Sequence, residues 1–156
     1  MKYILTFLIS MVPLVELRGA VPFAISRGIP LWQALTIGVI GNMLPIPIIF
    51  FFARHILAWG ADKPVIVSFF TWCLNKGHKG GQKLEKVAGD KGIFWALLLF
   101  VGIPLPGTGA WTGALAASIL DWDFKRSSLA VMLGVILAGL IMGTLSLLLG
   151  IDTFAH

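Results

Sequence analysis

Apolar positions along the chain fall into four blocks, roughly 3–29, 31–57, 92–120 and 127–149, with a polar stretch between the second and third. A helix needs about 20 apolar residues to cross the hydrocarbon core. The second and fourth blocks meet that length without a break and predict one spanning helix each. The first and third are interrupted, one by residues 16–22 (ELRGAVP) and the other by residues 103–109 (IPLPGTG). Proline removes a backbone donor and clashes with the turn before it, and glycine loosens the chain. Each half-block is about 9 to 15 residues long, which suits a re-entrant segment or a discontinuous helix better than a plain span.

The interrupted blocks resemble each other. Residues 12–14 read VPL and residues 103–105 read IPL, each at the end of an apolar half. Both are followed by a second half and then a long helix, and the long helices carry IGVIG at 37–41 and LGVIL at 133–137. The predicted fold is an all-α integral membrane protein, a single membrane domain of two inverted repeats. Each repeat is a re-entrant helical hairpin plus one transmembrane helix. Repeat one covers 1–59 and repeat two covers 92–156. Residues 60–91 join them, with a short interfacial helix at 64–75 and a basic, glycine-spaced connector after it. If each hairpin returns to the side it entered from, both termini lie outside. The plainer alternative is four full spans with both termini in the cytoplasm. The first block resembles the apolar part of a signal peptide, but Glu16, Arg18 and more apolar sequence follow it, so it is expected to stay in the mature protein.

Composition removes the soluble classes. The chain has 156 residues, 58% hydrophobic and 12% charged, with a mean hydropathy of +0.93. A soluble domain of this size has too little interior to hide that much apolar surface. The net charge of +5 is concentrated, with six of the twelve basic residues (Lys63, Lys76, Lys79, Lys83, Lys86 and Lys91) in the central stretch. Cytoplasmic loops carry such an excess, so this connector is placed in the cytoplasm. Basic residues beside apolar segments meet anionic lipid headgroups, which makes membrane lipid the expected partner and nucleic acid not one. Cys73 is the lone cysteine, and His55, His78 and His156 are scattered, so no metal site is expected.

The polar residues within the apolar blocks are the candidate site. Glu16 and Arg18 come first, because ionisable groups at depth are costly and usually functional. Glu16 reads as a protonatable group and Arg18 as an anion-binding one. The other reading is a neutralised pair that only fixes the loop. Gly19 and Pro22 follow, and they predict an extended or turned backbone there. In the second break, Pro104, Pro106, Gly107 and Thr108, with Thr112 beyond, free backbone groups so that half-helix N-termini can face an anionic group. Packing through small residues is the alternative there. Asn42 is read as an amide that hydrogen-bonds across to a re-entrant loop, and Asp123 as a helix N-cap. No nucleophile elbow, phosphate loop or zinc motif appears, so neither an enzyme nor a cofactor is expected.

At ELRGAVPFAI and IPLPGTGAWTGALAA the sequence resembles the bacterial and archaeal small multidrug export proteins over nearly the whole chain. That family in turn resembles the DedA/VTT membrane proteins. The resemblance implies two facing re-entrant loops and lipid movement, including recycling of undecaprenyl phosphate. By residue, Glu16 matches the acidic residue of the first loop, Pro22 the proline after it and Pro104 the proline of the second loop. The DedA pattern has arginines around its second loop, where this chain has Gly107, Thr108 and Trp111.

Two functions remain open from the sequence. One is a transporter of a small-molecule or lipid-linked substrate, coupled to protons through Glu16. The other is a non-transporting scaffold, an assembly or lipid-organising factor, in which the charged pair only holds the loop. Two spans and two short hairpins shield their polar loops poorly from lipid, so a homodimer is expected, with Gly134, Ala138 and Gly139 as contacts.

Overall fold

The computed structural model describes residues 1–52, 92–105 and 107–150, and the elements among them are helices. They are α1 (Lys2–Met11), α2 (Glu16–Ser26), α3 (Leu31–Met43), α4 (Gly92–Gly102), α5 (Ala110–Ile119) and α6 (Phe124–Leu148). Helix α3 passes through a turn at Leu44 and Pro45 and runs on, so that Leu31–Phe52 forms one apolar stretch of 22 residues. This stretch and the 25-residue α6 are long and apolar enough to cross a membrane. The interfacial helix, the basic connector and Pro106 lie outside the described residues.

The remaining four helices are too short to cross. Helices α1 and α5 have 10 residues and α2 has 11, which at 1.5 Å per residue is roughly half of a ~30 Å core. Each pair folds back on itself. The Lys2 Nζ at the start of α1 donates to the carbonyl of Arg27, just beyond α2, at 3.2 Å. In the second pair, Ile93 and Phe94 at the start of α4 share a cavity of about 230 Å³ with Asp121 and Trp122 beyond α5.

The first turn is not where the pattern of Gly19 and Pro22 put it. ELRGAVP is helical, with Pro22 inside α2. The chain reverses earlier, over Val12 to Glu16, where Leu14 (φ 70°) and Glu16 (φ 50°) take positive φ. Membrane helices tolerate an internal proline when neighbours satisfy the freed carbonyl, so Pro22 marks no break. The second interruption does fall at 103–109, between the end of α4 and the start of α5. VPL and IPL therefore both sit at hairpin turns.

Packing relies on small residues. Helix α1 lies on α2 and α3, α2 on α3 and α6, α3 on α6, and α5 on α6. A β-carbon at Gly41 would lie 2.0 Å from Ser10 Oγ, and one at Gly134 would lie 2.7 Å from the Leu98 carbonyl oxygen. Leu17, Val21, Ile46, Val101, Val131 and Val135 fill the centre. Gly134, Ala138 and Gly139, expected at a dimer contact, are spent inside the chain. Ala138 is buried, and Gly139 faces Leu35 and Leu17. The exposed surface of α6 is instead formed by Leu129, Leu133, Ile136 and Leu140.

Asp123 caps α6, its side chain accepting from the Arg126 amide at 2.9 Å. Trp32 and Trp95 are exposed near helix starts, as interfacial tryptophans are.

Candidate functional site

The break between α4 and α5 exposes two helix ends within an apolar body. A helix start leaves amides without partners and a helix end leaves carbonyls without them. Where no water reaches, each such group costs several kcal/mol. Both ends are met by side chains from α2.

Glu16 serves the start of α5. Its Oε2 accepts from the Ala110 amide at 3.1 Å and its Oε1 accepts from the Trp111 amide at 3.0 Å. Glu16 is 4% exposed. Its negative charge also meets the positive end of the helix dipole. Gly109 makes room for it. With φ at 148°, in a region that favours glycine, it lies so close that a β-carbon would sit 2.3 Å from Oε2.

Arg18 serves the end of α4. Its Nη2 donates to the Val101 carbonyl at 3.2 Å, to the Ile103 carbonyl at 3.3 Å and to Thr108 Oγ1 at 2.8 Å, and its Nη1 donates to the Leu105 carbonyl. Thr108 Oγ1 also lies 3.0 Å from the Ile103 carbonyl and 2.8 Å from that of Leu105, in position to donate its own hydrogen to one of them. A planar guanidinium with five N–H donors suits several carbonyls around one turn, which an ammonium does less well.

Two positions on one helix that are two apart point to different sides. That separation sends Glu16 to one end of the break and Arg18 to the other. The charges interact electrostatically, but each has its own backbone partners.

The remaining expected residues divide. Gly107, with φ of 78°, allows the turn that presents Thr108. Pro104 lies in the break. Thr112 is buried and its hydroxyl donates to the Gly109 carbonyl at 3.2 Å, so it holds the first turn of α5. Gly19 faces the Val15 side chain, and Pro22 stays within α2, so neither takes part in the contacts across the break. Asn42 lies on α3. It is 1% exposed, and its Oδ1 has no hydrogen-bond partner among the described residues.

Sequence reasoning missed the backbone donors of Ala110 and Trp111 and the acceptors of Val101 and Leu105. A glycine directly before an apolar half-helix was the available signal for the donors. No group of three or more His, Cys, Asp or Glu that could hold a metal occurs among the described residues.

Residues 16–141 match the family described as "Putative small multi-drug export protein". The chain belongs to that family. The match begins at Glu16 itself and covers both broken ends and their two caps. No curated protein and no solved structure matches the chain.

Proposed function

We propose that this protein is a small proton-coupled membrane transporter, in which two facing re-entrant hairpins form the pathway and Glu16 carries the proton. The observation that carries this reading is that the two charges of the first hairpin hold both broken ends of the second. A clamp built from a titratable carboxyl can be released. Protonated Glu16 no longer offers two negative oxygens to the start of α5, and the break is then free to rearrange around a substrate. Inverted-repeat transporters place broken helices and their sites near the midplane in this way. The family's description as an export protein supports transport, and the likeness to DedA/VTT proteins favours a small-molecule or lipid-linked substrate of the undecaprenyl phosphate kind. The protein sits in the prokaryotic cytoplasmic membrane with its basic connector in the cytoplasm, and a homodimer covers the polar breaks. A dimeric mass in lipid nanodiscs checks the last point.

One observation favours a second reading. Both nitrogens of the Arg18 fork are engaged with carbonyls and Thr108, so the pair is already a complete fastening. A protein in which it never opens would be a non-transporting scaffold. Reconstitution into liposomes decides between them. A panel of labelled lipids and lipophilic cations is tested with an imposed pH gradient. Movement of any member that follows the gradient supports transport, and its absence across the panel supports the scaffold.

A further inference from the structure

The open ends of the two hairpins are built differently. In the first, Lys2 Nζ donates to the Arg27 carbonyl at 3.2 Å and the Tyr3 hydroxyl donates to Gln33 Oε1 at 3.2 Å, so side chains close the gap. In the second, the corresponding place is a cavity of about 230 Å³. Its lining includes the apolar Phe94 and Leu97 of α4 and both signs of charge, from Asp121, Asp123 and Arg126. Ser127 also lines it and is only 5% exposed. Helix α4 spans Gly92–Gly102, so at 1.5 Å per residue the cavity lies roughly 15 Å from the break held by Glu16 and Arg18. Exposed Trp95 and Lys125 stand near this end, as side chains at a membrane–water boundary do.

We propose that this cavity holds the headgroup of a zwitterionic aminophospholipid, a ligand with an ammonium, a phosphate and an apolar tail. An ionised carboxylate has about four acceptor sites, and Asp123 gives one to the Arg126 amide. Asp121 and Asp123 can therefore accept from an ammonium, whose hydrogens all donate. The Arg126 guanidinium matches phosphate oxygens, and the Ser127 hydroxyl adds a donor. Phe94 and Leu97 give the glycerol and first acyl carbons an apolar surface. A purely anionic headgroup, such as that of undecaprenyl phosphate, would meet two carboxylates here against one guanidinium. The cavity is thus a separate site from the pathway at the break. Binding in it does not depend on Glu16 carrying a proton.

The test uses the full chain, freed of lipid in mild detergent, with bound lipid counted by native mass spectrometry. Short-chain phosphatidylethanolamine should bind about tenfold more tightly than phosphatidylcholine or phosphatidylglycerol, the worth of one hydrogen bond to a charged group. Asp121→Asn combined with Asp123→Asn removes both charges, while asparagine still suits the positive φ of the first position and the N-cap of the second. The preference should vanish in that double variant. Equal binding of the three lipids, or a preference that survives the double substitution, overturns the proposal. If the variant does not insert, the unaltered chain still decides through N-methylation of the lipid. Affinity should fall stepwise from ethanolamine through its mono- and dimethyl forms to choline as N–H donors are lost, and a flat series overturns the proposal. Water-soluble phosphoethanolamine separates a lipid from a free ester. It should not displace the lipid at equal concentration, and if it does, the lipid assignment falls.

Discussion

The carboxylate of Glu16 occupies the volume that a β-carbon on Gly109 would fill, with Oε2 2.3 Å from that point. Two residues far apart in sequence are thus fitted to each other, one by its charge and the other by having no side chain. Gly109→Ala should break the fit in two ways. Its φ of 148° strains any side chain, and the new methyl displaces the carboxylate from two amides. Strain and lost charge-assisted bonds together are expected to cost about 3 kcal/mol. Gly19→Ala is the control, because a β-carbon there meets only the Val15 side chain, which is itself 41% exposed. It should change stability by less than about 1 kcal/mol. Unfolding in mild detergent, followed by circular dichroism, compares them.

Arg18 and Thr108 act on the same carbonyls and should therefore be coupled. Arg18→Lys keeps the charge but cannot reach three carbonyls and a hydroxyl at once, and a loss of about 2 kcal/mol is expected. Thr108→Val removes the hydroxyl that accepts from Nη2 and should cost about 1 kcal/mol. The double variant should lose less than the sum, with a coupling of about 0.5–1 kcal/mol. Strict additivity would mean that the two side chains do not share the turn.

The long helices were readable because an unbroken apolar run of membrane length has few other solutions in a chain this hydrophobic. The second break was readable because its prolines and glycines are crowded into a few positions. The first turn was misplaced for an instructive reason. Gly19 and Pro22 are weak breakers inside a membrane hairpin, whereas the reversal depends on Leu14 and Glu16 taking positive φ, which non-glycine side chains rarely announce. That Glu16 and Arg18 matter was legible from the cost of charge at depth. What they bind was not, since their partners are backbone amides and carbonyls at the end of α4, in the break and at the start of α5. Gly134 and Gly139 looked like dimer contacts because small residues permit close approach without saying to which helix.

The hairpins make a testable statement about sidedness. Lys2 and the Arg27 carbonyl are hydrogen-bonded, so the first hairpin ends beside its own start. In the proposed re-entrant arrangement one long span separates Lys2 from the connector, and the second hairpin should return Lys125 to the connector's side. With Cys73 replaced by serine, Lys2→Cys should react with an impermeant thiol reagent from outside in intact cells, and Lys125→Cys only after permeabilisation. Four full spans predict the reverse pattern, with Lys125 outside and Lys2 protected. That result would overturn the re-entrant arrangement.

Glu16→Gln separates the clamp from the proton. Glutamine keeps one oxygen that can accept from an amide at the start of α5, but its NH₂ faces the second amide donor and the charge is gone. A loss of about 1–2 kcal/mol in stability is expected, the difference between a charge-assisted and a neutral pairing at a helix start. The protein should still fold and insert, since Arg18 continues to hold the end of α4. Transport should lose its dependence on an imposed pH gradient, because the group that takes up the proton is absent. Glu16→Asp keeps the charge but shortens the reach from α2. It should therefore retain a pH response while loosening the bonds to Ala110 and Trp111, and transport with reduced rate but unchanged coupling is the expected result. Liposome uptake at matched and opposed pH, run beside thermal unfolding of the same preparations, measures both quantities. A Gln variant that folds and still follows the gradient would remove Glu16 from the proton path and leave it as a helix cap alone.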